Sequence, residues 1–119
     1  MNRVELIGNL TKDPQVKCTQ NGKAVAFFTI AVNDGYGENK KTYYPNIVVW
    51  GKAAETCGNI LKKGSKVGIN GKITTRSYDK DGQAHYVTEV VADMYGGVEF
   101  LSKKQGQAAS PMDDEEIPF

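Results

Sequence analysis

Tyr36 stands in a polar loop, Tyr43 and Tyr44 open an apolar run that Trp50 closes, and Tyr78 ends another. Lys40, Lys41, Lys52, Lys62, Lys63, Lys72, Arg76 and Lys80 are interleaved with these rings. Rings edged by fixed positive charge suit a strand of unpaired nucleotides, because every base has a π-face to stack and every nucleotide a phosphate to pair. Stacking contributes roughly 1–3 kcal/mol per base, so three platforms weigh about as much as the ionic contacts. The alternative is that the rings fill a core and the lysines are a solvated surface. Tyr86 and Tyr95 are read as core filling. Tyr44, Trp50 and Tyr78, beside loops and lysines, are read as candidate platforms.

Enzyme signatures fail. Gly22-Lys23, Gly51-Lys52 and Gly71-Lys72 lack the earlier glycine and the following Ser or Thr of a phosphate loop. There is no Gly-x-Ser-x-Gly elbow and no His-Glu-x-x-His. One histidine, His85, and two cysteines, Cys18 and Cys57, are too few for the usual zinc sites, so neither metal nor cofactor is expected. The loop acids Asp34, Glu38, Asp79 and Asp81 read as turn residues rather than as a nuclease centre.

The C-terminal residues carry a second kind of chemistry. Asp113, Asp114, Glu115 and Glu116 precede Ile117, Pro118 and Phe119. Pro118 disfavours helix at Ile117 and keeps the tip extended. Phe119 joins a ring and a free carboxylate, which an apolar pocket beside a cationic side chain can hold while the acids steer the encounter. A merely solubilising acidic tail is the rival reading.

Charge is distributed in the same sense. The net charge of the 119 residues is +1, yet with the four tail acids set aside, residues 1–107 hold 15 bases against 10 acids. A basic body with an acidic tail marks nucleic-acid binders. The length fits one domain, and a hydrophobic fraction of 39% with 24% charged residues is ordinary for a globular chain. No apolar run approaches a membrane span and no signal segment is visible. Two distant, unpaired thiols fit a reducing compartment, so a cytoplasmic location is expected.

The elements that must position these groups are five strands and a helix. Residues 2–10 are strand-like and end at a turn around Asp13-Pro14; residues 15–18 lead to Asn21-Gly22, a hairpin signal. Residues 23–33 form the second strand, with apolar side chains on both faces. A polar loop, 34–41, precedes the third strand, 42–50, whose alternation puts Tyr44, Asn46, Val48 and Trp50 on one face. Residues 53–61 are helical in spacing despite Gly58, with Gly64 as the C-cap. Residues 66–78 and 84–95 form the last two strands around a 79–82 hairpin loop. Five strands with a helix between the third and fourth give an all-β, five-stranded OB-fold barrel. It is expected over residues 1–101, followed by a linker, 102–112, and a disordered acidic tip, 113–119.

The chain resembles the bacterial and bacteriophage single-stranded-DNA-binding protein family. The resemblance lies in Asn2-Arg3-Val4-Glu5-Leu6-Ile7-Gly8-Asn9-Leu10 with Asp13-Pro14, in Asn21-Gly22-Lys23-Ala24-Val25-Ala26, and in Val48-Val49-Trp50-Gly51-Lys52-Ala53-Ala54-Glu55. It continues in Leu61-Lys62-Lys63-Gly64-Ser65, Gly71-Lys72-Ile73-Thr74-Thr75-Arg76, Tyr86-Val87-Thr88-Glu89-Val90 and the acidic tip. It implies a homotetramer that wraps single-stranded DNA in replication, recombination and repair without catalysis, associated with the nucleoid of a bacterium or phage-infected bacterium. Carried over by position, Tyr44, Trp50 and Tyr78 are base-stacking rings, and Tyr36 lies in a loop that carries another. Lys52, Lys62, Lys63 and Arg76 fall at or near phosphate contacts. Residues 113–119 resemble the segment that recruits replication, recombination and repair proteins. The chain departs from its relatives at Tyr44-Pro45-Asn46, where Pro45 replaces a histidine that relatives place at a subunit interface, and in its short linker. Rival readings are an OB-fold adaptor that binds only proteins, or an RNA binder.

Overall fold

The computed structural model describes residues 1–101; the 102–112 linker and the 113–119 tip lie outside the described residues. The chain runs β1 (Val4–Leu10), β2 (Gln15–Cys18), β3 (Ala24–Asp34), a 3-10 turn at Gly37–Asn39, β4 (Lys41–Tyr43), β5 (Asn46–Trp50), α1 (Lys52–Ile60), β6 (Lys66–Lys80), β7 (Gln83–Ala92) and β8 (Val98–Phe100). β1 pairs β3, β3 pairs β5, β5 pairs β7, β7 pairs β6, and β6 returns to β1, which closes a five-stranded ring. This is the expected OB-type barrel. The β5–β7 pairing is parallel and the others are antiparallel. β6 is long enough to serve two neighbours in turn: Lys66 to Gly71 face β1, and Gly71 to Lys80 face β7. Gly71 is the corner, where a Cβ would collide with the Val91 carbonyl.

The core fills the ring with side chains of one parity on each strand: Ala26, Phe28 and Ile30 from β3, Ile47 and Val49 from β5, Val67 and Ile69 from β6, and Val90 and Ala92 from β7. α1 plugs the bottom with Ala54 and Cys57, and Leu61 follows it into the core. Burial raises the Cys57 thiol from its ordinary 9.0 to about 11. Gly58 lies on the helix face that meets β2, where a Cβ would lie 2.7 Å from Val16 Cγ2 and push that side chain aside.

Several boundaries differ from the sequence reading. The third strand is interrupted at Tyr44-Pro45, because proline has no N–H and restrains the residue before it. The register against β3 is the same on both sides of the break, and the Pro45 carbonyl still accepts the Ile30 N–H at 3.3 Å. Gly64 is not the helix C-cap: Leu61 is, in extended conformation, and the Gly64 N–H instead bonds the Leu10 carbonyl at 2.8 Å. The last strand stops at Ala92 rather than running to residue 95, because Gly96-Gly97 turns the chain back into β8. β8 then pairs β6 from Val67↔Phe100 to Ile69↔Val98. The 79–82 loop tightens to a two-residue turn at Asp81 and Gly82, both at positive φ, which suits a twisted hairpin. Asn2 lies before β1, but its amide bonds both the N–H and the carbonyl of Ile73 at 2.9 Å, so the side chain extends the ladder.

Candidate nucleic-acid interface

The barrel has a second, outward-facing sheet surface made by the other parity of the same strands. Pairing aligns its residues in rows. Val25 lies opposite Trp50. Phe27, Val48, Val91 and Lys72 form a row across β3, β5, β7 and β6. Thr29 lies opposite Asn46 and Glu89 opposite Thr74, and Thr29 Oγ1 donates to Asn46 Oδ1 at 2.8 Å. Val87 faces Arg76 and His85 faces Tyr78. β2 extends this face, with Gln15 opposite Phe27 and Lys17 opposite Val25. The reading of β3 as apolar on both faces is thereby explained: Val25 and Val48 are buried outside the barrel, in the floor of a groove.

The outward face carries two neighbouring clefts, the two halves of the candidate groove. One is lined by Thr11, Asp13, Gln15, Tyr44 and Asn46, the other by Lys17, Cys18, Val48, Trp50, Thr74 and Arg76. Phe27 and Glu89 line both. Tyr44 is 61% exposed, Trp50 39% and Tyr78 44%, so all three candidate rings present area to solvent rather than to the core. Tyr44 and Trp50 stand in opposite halves of the groove, and Tyr78 stacks on His85 with centroids 5.4 Å apart, farther out along the β6–β7 ribbon. Tyr36, 86% exposed, stands beside the 3-10 turn away from these walls. Tyr86 and Tyr95 correct the core-filling reading: both are exposed. Tyr86 has core parity, but the β6–β7 ribbon has by then run past the barrel, and Tyr95 is in the turn before β8.

The predicted basic residues fall into two groups. Lys52 opens α1, two residues after Trp50, and Lys62 and Lys63 follow the helix. None of these three lines the groove walls. Lys63 is tied to one end of the groove, since its backbone N–H donates to Asp13 Oδ1 at 2.8 Å, and the Lys62 N–H donates to Ser65 Oγ at 3.0 Å. Arg76 is in the groove, where its Nε and Nη2 each donate to one oxygen of Glu89 at 3.0 Å. These bonds, and then the carboxylate charge, push the guanidinium pKa up. Glu89 is 7% exposed, the one buried charged side chain among the described residues.

Phe27 and Glu89 escaped the sequence reading. Phe27 shares parity with Val25 and Thr29, so alternation placed it on the right face, but nothing in sequence separates a groove floor from a covered face. Lys17 Nζ stands 5.8 Å from the Phe27 ring centroid, a cation over an aromatic face. Glu89 became a groove residue only through its pairing with β6. Among the described residues no group of three or more His, Cys, Asp or Glu is placed to hold a metal ion, and no helix is long and apolar enough to cross a membrane.

The model of the single-strand binding protein family matches residues 1–101. The chain is 49% identical over 113 residues to "Single-stranded DNA-binding protein 3" of Listeria innocua, covering 91% of this chain and 68% of that one. It is 41% identical to "Single-stranded DNA-binding protein 3" of Clostridium acetobutylicum, covering 100% of both. Among solved structures, a Plasmodium falciparum SSB complex with ssDNA superposes with a TM-score of 0.76 at 28% identity, covering 86% of this chain and 96% of that one.

Proposed function

The chain belongs to the single-strand binding protein family, and on that premise we propose that it coats single-stranded DNA without regard to sequence, by stacking bases in the β3–β5–β7–β6 groove. The observation that carries this reading is a pair of adjoining clefts on one outward sheet face, sharing Phe27 and Glu89, with Tyr44 in one and Trp50 in the other, both open to solvent. Such a surface gains free energy from flat, unpaired bases of any kind, whereas a duplex keeps its bases stacked on one another. Tyr44, Trp50 and Tyr78 are its platforms, with Tyr36 on a loop beyond them. Lys52, Lys62 and Lys63 at the rim meet phosphates, and Arg76 belongs to the groove itself.

The role is non-catalytic protection of single strands during replication, recombination and repair, in the cytoplasm at the nucleoid. The chain assembles as a homotetramer. Residues Asp113, Asp114, Glu115, Glu116, Ile117, Pro118 and Phe119 recruit the proteins that process the coated strand. The support for the tip is its sequence alone: acids that steer, then the apolar Ile117-Pro118-Phe119.

Trp50 is the single tryptophan, so its fluorescence reports on this groove directly. Titration with poly-dT is expected to quench it, and excess single-stranded DNA to compete far better than duplex DNA or single-stranded RNA. No quenching would favour an adaptor that binds only proteins, and equal competition by RNA would remove the preference for DNA.

A further inference from the structure

The carry-over by resemblance makes Arg76 a phosphate contact, but the structure gives its guanidinium another task. We infer that Arg76 is a base-facing plate of the groove, held flat by Glu89, and not a phosphate ligand. This rests on the groove being the single-stranded DNA interface proposed above.

Glu89 is a buried carboxylate in the groove floor, and a buried charge is tolerated only when paired and hydrogen-bonded. Arg76 supplies both bonds, Nε to Oε1 and Nη2 to Oε2, each at 3.0 Å. Two parallel bonds make guanidinium and carboxylate coplanar. The pair is diagonal across the ladder: Arg76 stands opposite Val87 and Glu89 opposite Thr74. The arginine side chain therefore runs diagonally across the ladder to Glu89.

Two consequences follow for what can bind it. The Nε–Nη2 edge, one of the two forks with which arginine grips a phosphate, is occupied. A phosphate brought to the remaining end would also meet the like charge of Glu89 through the same guanidinium. A base meets neither obstacle: the flat face of a paired guanidinium remains a stacking surface. The Arg76 side chain is 56% exposed although one edge is engaged. It shares its half of the groove with Trp50, and Glu89 reaches into both halves, so the plate lies where a strand passes from Tyr44 towards Trp50. Glu89 is then a positioning residue, holding Arg76 down and removing its appetite for phosphate.

The full-length chain is titrated with poly-dT, and with an abasic deoxyribose-phosphate strand of equal length, over a series of salt concentrations. The double variant Arg76→Gln with Glu89→Gln leaves no unpaired buried carboxylate. It is expected to bind poly-dT about tenfold more weakly, with the salt slope and the abasic-strand affinity unchanged. Glu89→Gln alone frees the cation and is expected to steepen the slope by about 0.7, the share of one added phosphate contact. A double variant whose slope is shallower by about 0.7, with equal loss on the abasic strand, would show a phosphate ligand and overturn the inference. An unchanged slope in Glu89→Gln would overturn the positioning role. If the unsubstituted chain fails to bind poly-dT, the interface itself is wrong, a result distinct from a slope change in a chain that binds.

Discussion

Cys18 and Cys57 show how far position decides a side chain's chemistry. Cys57 is enclosed between α1 and the barrel, with its thiol raised to about 11, whereas Cys18 is exposed in the groove half that holds Trp50. In the folded chain a thiol reagent is expected to modify Cys18 alone, and saturating poly-dT to slow that reaction; equal rates at both thiols would contradict the placement of Cys57. The raised value also fixes a sign. The unfolded thiol loses its proton near 9.0 while the folded one keeps it to about 11, so this contribution is present below pH 9 and is lost as pH rises towards 11. The stability gap between the unsubstituted chain and Cys57→Ala, measured by urea unfolding, is therefore expected to narrow between pH 8 and pH 10.5. At this scale the sequence was legible where a residue's neighbours are local. Tyr44, Trp50 and Tyr78 could be placed on an open face from spacing and adjacent lysines. Glu89 could not, because its significance comes from a guanidinium on another strand 13 positions away in sequence.

Among the elements, α1 illustrates a conflict between local preference and packing. Glycine inside a helix ordinarily costs about 1 kcal/mol relative to alanine, and on that ground Gly58 argues against a helix here. The helix forms nonetheless, its Ala54 and Cys57 face packed into the core, and β2 crosses close by: a Cβ at Gly58 would lie 2.7 Å from Val16 Cγ2. Gly58→Ala is thus expected to destabilise the chain by about 1 kcal/mol or more, as overpacking does. In a Val16→Ala background the same substitution is expected to stabilise by up to about 1 kcal/mol. Urea unfolding of the four chains measures both, and a stabilising effect in the unsubstituted background would contradict the close approach. The same logic separates legible elements from illegible ones. Strands of high β-propensity bounded by turn signals were readable, as β3 and the β6–β7 hairpin were. The short β8 was not, since three residues carry no periodicity, and the break at Pro45 was hidden by a register that continues through it.

For the whole molecule, the governing fact is the division between a basic barrel and an acidic C-terminus. Eleven extended residues span at most about 35–40 Å, and competition between the acidic segment and DNA for the groove is proposed from that length and the opposite charge. Deletion of residues 113–119 is expected to tighten binding of single-stranded DNA, most at low salt where screening is weakest, and unchanged affinity at every salt would contradict competition by the tip. The central claim, that open rings on the outer face of the barrel hold unpaired bases, is tested most directly by one titration. The chain carrying Tyr44→Ala, Trp50→Ala and Tyr78→Ala together is compared with the unsubstituted chain for binding to fluorescently labelled poly-dT, after circular dichroism has confirmed the same fold. With roughly 1–3 kcal/mol per stacked base, affinity is predicted to fall by about two orders of magnitude or more. A correctly folded triple variant that binds poly-dT as tightly as the unsubstituted chain would contradict the account.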